Sequence, residues 1–192
     1  MDTGSQRRLE SDRWLDRHGD ALYRYALARL GNSDAAQDMV QETLLAAWQG
    51  RSGFKGASSE RTWLLGICRH KVSDYLRQSG HFAPSTAYND LEMGMDAEFF
   101  TTAGAWRHPP DAWTPAPLDE IEAEGFWNAL QACLAQLPEA QREGFVLQTL
   151  NGVEPVDVSR LLHVSMNHLY VLLHRARLRL RQCLDTHWFG GK

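Results

Sequence analysis

The chain has 192 residues, a hydrophobic fraction of 43% and a net charge of −4, which suit a soluble protein of one medium domain or two small ones. No apolar run approaches the about 20 residues that span a membrane, and the N-terminal residues lack the apolar segment of a signal peptide. We therefore expect no membrane insertion. The negative net charge also disfavours a protein that coats DNA through charge alone. The three cysteines lie in helical patterns without disulfide or CxxC spacing, which predicts reduced thiols and a cytoplasmic location.

The N-terminal part of the sequence predicts helices. Residues 7–30 carry apolar side chains at helical spacing, and Gly19 is expected to break or bend this stretch into two helices. Apolar residues at steps of three and four predict the next helix over 34–48, with Asn32 as a cap. Residues 50–78 predict a loop rich in glycine and serine and then another helix. The apolar positions expected in the core include Leu15, Trp48 and Tyr75.

Charge is distributed unevenly along the chain. Residues 51–78 hold six basic and two acidic side chains, a local charge of +4, and residues 160–184 hold five arginines and no acid. Residues 80–125 hold nine acids and one arginine, a local charge of −8. Two basic segments around an acidic one indicate two modules that face nucleic acid and an acidic connector. The connector is rich in proline and in aromatic residues, which favours a tether that docks on a domain or partner over a solvated linker.

The C-terminal half predicts a helix-turn-helix. Prolines and a glycine separate helical stretches that are expected at 118–136, 139–150, 155–162 and 166–183. Ser165 is expected to cap the last of them. Short helical pairs also occur in proteins that never touch DNA, but the arginine-rich, acid-free last helix favours DNA binding.

Two sets of motifs resemble the sigma factors of bacterial RNA polymerase, in the extracytoplasmic-function group. DxxQET followed by FxGxxSxxTWLxxIxRxxxxDYLR resembles sigma region 2, and LxxLP, a glycine turn and LHRAR resemble region 4. The resemblance implies an all-α fold of two small helical domains joined by a long acidic linker. Region 2 is expected at 7–78, the linker at 79–117 and region 4 at 118–186. The implied protein is not an enzyme and uses no cofactor; it binds core RNA polymerase and directs promoter recognition, DNA melting and transcription initiation.

The resemblance also assigns three groups of contact residues. A face of the 34–48 helix is expected to bind the clamp helices of the polymerase's largest subunit through Asp38, Gln41, Glu42 and Leu45. The loop and the following helix are expected to hold the −10 promoter element by stacking, hydrogen bonds and phosphate neutralisation; the residues are Phe54, Lys55, Ser58, Ser59, Trp63, Arg69, His70, Asp74 and Arg77. The helix-turn-helix is expected to contact the polymerase flap and to read the −35 element with Ser165, Met166, Asn167, His168, Tyr170, His174, Arg175 and Arg177.

Some positions depart from the family pattern or leave alternatives open. His163 stands where the family often has glycine, which requires either a positive φ or a different turn. His70 replaces a usual asparagine and is a candidate for an altered base preference. Trp63 fits equally a core position and the edge of the melted DNA. The Trp188–Phe189 tail fits packing on the second domain or binding to a partner.

The resemblance also implies a partner, and the spacing of the cysteines and histidines bears on metal binding. The resembled group is usually inhibited by an anti-sigma factor, often membrane-tethered or zinc-binding, so we expect such a partner beside promoter DNA and polymerase. Cys183 and His187 have ligand-like spacing, but no second pair lies near in sequence, so no metal is expected. The alternative functions are a helix-turn-helix regulator that acts without polymerase and a helical enzyme.

Overall fold

The computed structural model describes residues 9–80 and 120–189, with side chains in the second stretch from residue 125 onward. All regular elements in these residues are helical, and no β-strand occurs among them, so the predicted all-α class is confirmed. None of the helices in these two stretches has the length and apolar composition of a membrane span. Residues 81–117 of the predicted linker lie outside the described part of the chain.

The helices follow the predicted order with ends that differ by a few residues. They are α1 (Trp14–Leu30), α2 (Ser33–Gly50), α3 (Glu60–Gln78), α4 (Glu120–Ala135), α5 (Glu139–Phe145), α6 (Pro155–Leu162) and α7 (Met166–Leu184). Short 3-10 turns occur at Ser11–Arg13 and Arg51–Gly53, and π-helical turns continue α5 and α7 at Val146–Leu150 and Asp185–Phe189.

The chain divides into two compact units, each built from two separate stretches. The first contains Met1–Ala83 and Val146–Leu169, and the second contains Pro84–Phe145 and Tyr170–Lys192. The predicted second domain thus contributes residues to both units. The predicted boundaries at 7–78, 79–117 and 118–186 stay predictions.

In the first unit, α1, α2 and α3 pack against one another. Gly31 ends α1 in a left-handed conformation (φ 64°) and its N–H donates to Leu27 O at 2.8 Å, while the Asn32 side chain caps α2 by accepting from Ala35 N at 2.9 Å. The resulting sharp turn lets the apolar faces of the helices meet. The buried side chains include Leu22, Tyr25, Ala36, Met39, Val40, Leu64, Leu65, Cys68 and Val72.

Four expectations for this unit are wrong. Gly19 neither breaks nor ends the first helix; it is buried inside α1. Leu15, Trp48 and Tyr75 are exposed rather than in the core. Trp48 lies in the last turn of α2, where Ala47 is still fully buried, and the Arg51 guanidinium stacks over its ring at 4.2 Å.

The helix-turn-helix forms as predicted. His163 ends α6 in a left-handed conformation with φ 57°, so histidine occupies a position that usually favours glycine. The His163 N–H donates to Arg160 O, and the Val164 N–H donates to Ser159 O. Ser165 caps α7, because its Oγ accepts from His168 N at 3.2 Å.

The second unit contains a disulfide that the sequence did not predict. Cys133 of α4 and Cys183 of α7 are joined, with their Cα atoms 5.8 Å apart. The expectation of reduced thiols is wrong for this pair, because helix packing places side by side two residues that are 50 apart in sequence. Cys68 is a free, buried thiol, and burial raises its pKa to about 11.

Candidate nucleic-acid and polymerase interfaces

One face of α2 presents the residues assigned to polymerase binding. Asp38, Gln41, Glu42 and Leu45 follow the i, i+3, i+4, i+7 spacing of one helix face, and all four are exposed. Leu45 is 58% exposed, which is large for an apolar residue between polar neighbours. Glu42 Oε2 accepts a hydrogen bond from Lys71 Nζ of α3 at 3.1 Å, so this end of the face is positioned against the next helix.

An aromatic cluster anchors the loop before α3. The Trp63 ring lies 5.1 Å from that of Phe54 and 5.8 Å from that of Trp14 in an edge-to-face arrangement. Trp14 is buried, whereas Phe54 and Trp63 are half-buried. One side of Trp63 therefore packs on the core and another reaches solvent, and its contact with melted DNA stays a prediction. Trp14 is a residue that sequence reasoning missed at this site, because the apolar spacing of residues 7–30 predicts only packing between helices.

The serines of the loop differ in what they do. Ser59 caps α3, because its Oγ accepts from Thr62 N at 3.1 Å and lies 2.9 Å from Thr62 Oγ1. Its hydroxyl is thus committed to starting the helix. Ser58 Oγ donates to Ser59 O at 3.3 Å, and Lys55 is exposed. Of the predicted loop contacts, Lys55 and Ser59 are exposed, and Phe54 and Ser58 are half-buried.

The solvent side of α3 continues this surface with charged groups. His70 is exposed, Arg69 is half-buried, and Asp74 forms an ion pair with Arg77 one turn later. These side chains and the loop lie on neighbouring parts of one helix-loop element. A cation, an imidazole and aromatic faces within one such surface suit phosphate and unpaired bases.

His18 of α1 lies beside the start of α3 and has a perturbed pKa. His18 Nε2 lies 3.7 Å from Glu60 Oε2, and the Glu10 N–H donates to Glu60 Oε1 at 2.8 Å. Burial lowers the pKa of His18, and the Glu60 carboxylate opposes this effect only in part. His18 is therefore a group whose protonation strains the packing of α1 on α3.

The first unit also places α6 beside the α3 surface. Ser58, Trp63 and His70 line a cavity of about 580 Å³ together with residues of α6. The α6 residues are Asp157, Arg160 and Leu161. A Cβ at Gly66 would stand 3.2 Å from Leu161 Cδ2, so the absence of a side chain at this position permits the close approach.

The N-terminal part of α7 presents a solvent-exposed stripe. Asn167, Tyr170, His174 and Arg177 recur at steps of three and four and are exposed, while Met166 and His168 are half-buried. Val171, at 42% exposure, lies on the same stripe and was missed because the sequence assigns apolar residues to the core. An exposed valine can contact a thymine methyl group in the major groove.

Arg175 is an exception among the assigned α7 residues. It is 8% exposed, so most of its side chain is buried, and its assignment to the −35 element stays a prediction. Leu172 and Leu178, three residues away on either side, are both buried, and their spacing was the signal for a buried face at Arg175.

Comparison with known proteins gives the same family for both ends of the chain. A model described as "Sigma-70 region 2" matches residues 14–82, and one described as "Sigma-70, region 4" matches residues 127–180. A helical bundle followed by a helix-turn-helix, each with these motifs, defines the sigma factors that work with bacterial RNA polymerase. This chain belongs to the sigma-70 family, in its extracytoplasmic-function group.

Individual relatives are similar along almost the whole chain. A probable RNA polymerase sigma factor of Haemophilus influenzae is 28% identical over 185 residues, covering 95% of this chain and 93% of the relative. The extracytoplasmic-function sigma factor SigE of Mycolicibacterium smegmatis is 26% identical over 186 residues, covering 96% of this chain and 66% of the relative.

Two solved structures share the fold. The sigma factor RpoE of Bartonella quintana, solved with the anti-sigma factor NepR, has a TM-score of 0.65 at 22% identity and covers 91% of this chain and 96% of its own. CnrH, solved with the cytosolic domain of CnrY, has a TM-score of 0.62 at 22% identity and covers 92% of this chain and 88% of its own.

Proposed function

We propose that this sigma factor binds core RNA polymerase through α2, holds the melted −10 element on α3 and its preceding loop, and reads the −35 element with α7. It acts in the cytoplasm, where polymerase and promoter DNA are found, and it initiates transcription without catalysing a reaction itself. The observation that carries the proposal is the exposed α2 face that contains Leu45. A helix-turn-helix regulator that works without polymerase would give this face no function.

At the polymerase surface, Asp38, Gln41 and Glu42 supply charge and hydrogen bonds to the clamp helices of the largest subunit. Leu45 supplies apolar area at the C-terminal end of the same face. Polar groups around an apolar residue are typical of protein interfaces, in which the polar groups select the partner and the apolar contact slows dissociation.

At the −10 element, Phe54 and Trp63 stack on bases that leave the duplex, and Lys55 neutralises phosphate. Their support by Trp14 favours this role, because a stacking surface that is held rigid loses little entropy on binding. His70 and Arg69 extend the surface along α3. The ion pair between Asp74 and Arg77 orients the arginine toward the backbone of the strand.

At the −35 element, the exposed stripe of α7 enters the major groove. Asn167, Tyr170 and His174 reach base edges, Val171 contacts a methyl group, and Arg177 neutralises phosphate. Ser165, Met166 and His168 position the start of the helix. The helix-turn-helix formed by α6 and α7 also contacts the flap of the polymerase.

An anti-sigma factor holds this chain away from polymerase until a signal releases it. The support is that the similar Bartonella protein was solved with an anti-sigma factor. Such a partner is expected to be membrane-tethered or zinc-binding. Tagged chain purified from its host should bring down either this partner or core polymerase, and added core should compete with the partner.

In vitro transcription with core polymerase that lacks sigma tests the main proposal. The full chain should bind core and direct discrete transcripts from host promoters, with thymines near the −10 element becoming reactive to permanganate. Sequence-specific DNA binding by the chain alone, together with no affinity for core, would establish the regulator instead. The Leu45→Ala variant should lose transcription at limiting concentration and regain it at high concentration.

A further inference from the structure

Two cysteines and a histidine meet at the end of α7, in the second compact unit. Cys133 and Cys183 are linked, and the reacting atoms of Cys133, Cys183 and His187 lie within 4.8 Å of one another. None of these residues belongs to the surfaces assigned to polymerase or DNA. The group therefore needs a separate explanation.

The two sulfurs differ in access. Cys133 is buried at 1% exposure, whereas Cys183 is half-buried. A cleft of about 380 Å³ opens beside both cysteines and is also lined by Leu137 and by four polar residues. The polar residues are Gln136, Arg179, Gln182 and Thr186. A small polar molecule can thus reach Cys183, with Cys133 behind it.

His187 and Arg179 give Cys183 a reactive environment. His187 Nδ1 lies 2.8 Å from the Cys183 carbonyl oxygen and 3.6 Å from Cys183 Sγ. Since a carbonyl oxygen can only accept, Nδ1 carries the proton and donates it to that oxygen, and the polar N–H group lies beside the sulfur. This N–H dipole and the positive charge of Arg179, which lines the cleft, both favour the thiolate, which is the form that attacks an oxidant.

We propose that Cys183 and Cys133 form an oxidation-sensitive thiol pair, with Cys183 as the attacking and Cys133 as the resolving residue. The oxidant is a small peroxide. The Cys183 thiolate attacks one peroxide oxygen, the O–O bond breaks, and sulfenic acid and hydroxide form. The hydroxide takes up the proton that the Cys183 thiol released on ionisation and becomes water. The Cys133 thiol then displaces the hydroxyl group as a second water. Two thiols lose two electrons in total, and hydrogen peroxide is reduced to two waters.

The environment suits oxidation better than metal binding. A structural zinc site needs four protein ligands, and only three such groups meet among the described residues. His187 would also have to give up its hydrogen bond to the Cys183 carbonyl to ligate through Nδ1. The thiol pair needs no such rearrangement, because its Cα separation of 5.8 Å lies within the usual range for a disulfide.

Oxidation should change the stability of the second unit and leave base reading intact. The bridge links the end of α4 to the end of α7 across 50 residues, and a cross-link over a long loop restricts the unfolded chain. Tyr170, on the DNA-facing stripe, is roughly 20 Å along the helix from Cys183. Directly after the bridge, Trp188 packs on Phe126 with ring centroids 5.9 Å apart, so the bridge also anchors the tail.

The test uses the full chain, reduced, desalted and exposed to equimolar hydrogen peroxide. Mass spectrometry after alkylation should show Cys133 and Cys183 linked and Cys68 still alkylated on unfolding. The melting temperature should rise by about 10 °C on oxidation. The Cys133→Ser variant should accumulate sulfenic acid at Cys183, and the His187→Gln variant should oxidise several-fold more slowly.

The matched controls are Cys68→Ala, which should oxidise like the unsubstituted chain, and Cys183→Ser, which should show no rise in melting temperature. Circular dichroism checks that each variant is folded. The proposal is overturned if the pair reacts no faster than free cysteine, or if Cys133 forms the sulfenic acid in Cys183→Ser. Stoichiometric zinc that stays bound to the reduced chain and protects it from peroxide would also overturn it.

Discussion

Replacing Leu45 by alanine is the sharpest test of the α2 interface. The change removes three aliphatic carbon groups, each worth about 0.8 kcal/mol on transfer from water. Because 58% of the residue is exposed in the free chain, full burial against polymerase predicts a loss of about 1.4 kcal/mol, or about tenfold in Kd. The stability of the free chain should change by less than about 0.5 kcal/mol, since the side chain contributes little to the core.

Leu15 provides a matched control for this measurement. It is an exposed leucine of the same unit, at 62%, but it lies on α1. Kd values for core polymerase can be measured by anisotropy of a labelled chain, with unlabelled variants as competitors. Leu45→Ala should bind about tenfold more weakly and Leu15→Ala should bind like the unsubstituted chain. Equal affinities for all three chains, or equal losses in both variants, would refute the assignment of the α2 face.

Three further predictions concern other parts of the chain. Arg177→Ala should weaken binding to all −35 sequences alike and reduce the salt slope by about one, measured by titration at several salt concentrations; Arg175→Ala, at a buried position, should instead lower the melting temperature. His163→Val should lower the melting temperature by several degrees because a β-branched residue resists the left-handed conformation, and His163→Gly should not. The pKa of His18 is lowered in the folded chain, so its contribution to stability is complete above about pH 6.5 and falls as the pH drops below that value. Measured by urea unfolding, the free energy of unfolding should fall less between pH 7 and pH 5 in His18→Gln than in the unsubstituted chain. An equal fall in both proteins would exclude this role for His18.

Much of the fold could be predicted because its signals are local. Asn32 and Ser165 cap helices in the structure as their chemistry predicts, since a short polar side chain can reach the free N–H groups of the next turn. The positive φ of His163 is one of the two outcomes that the missing glycine allowed. Each of these features depends on a few consecutive residues.

The missed features depend on packing between distant segments. The pairing of Cys133 with Cys183 arises only when α4 and α7 lie together, and no spacing in the sequence reports that contact. Trp48 was wrongly expected in the core because apolar periodicity does not separate a buried position from an exposed one beside it: Ala47 is fully buried, whereas Trp48 is 48% exposed. Val171 was missed as a candidate DNA contact because apolar character alone predicts a buried position, whereas this residue is 42% exposed.

The position of α6 in the first unit has a consequence for DNA binding. Arg160 and Leu161 line the same cavity as Trp63 and His70, which we assign to the −10 element. Trp63 and His70 keep access to solvent, so α6 forms one wall of this cavity and does not cover the surface. A base that enters the cavity would therefore contact α6 as well as α3, and α6 limits the space that this surface offers to a melted strand.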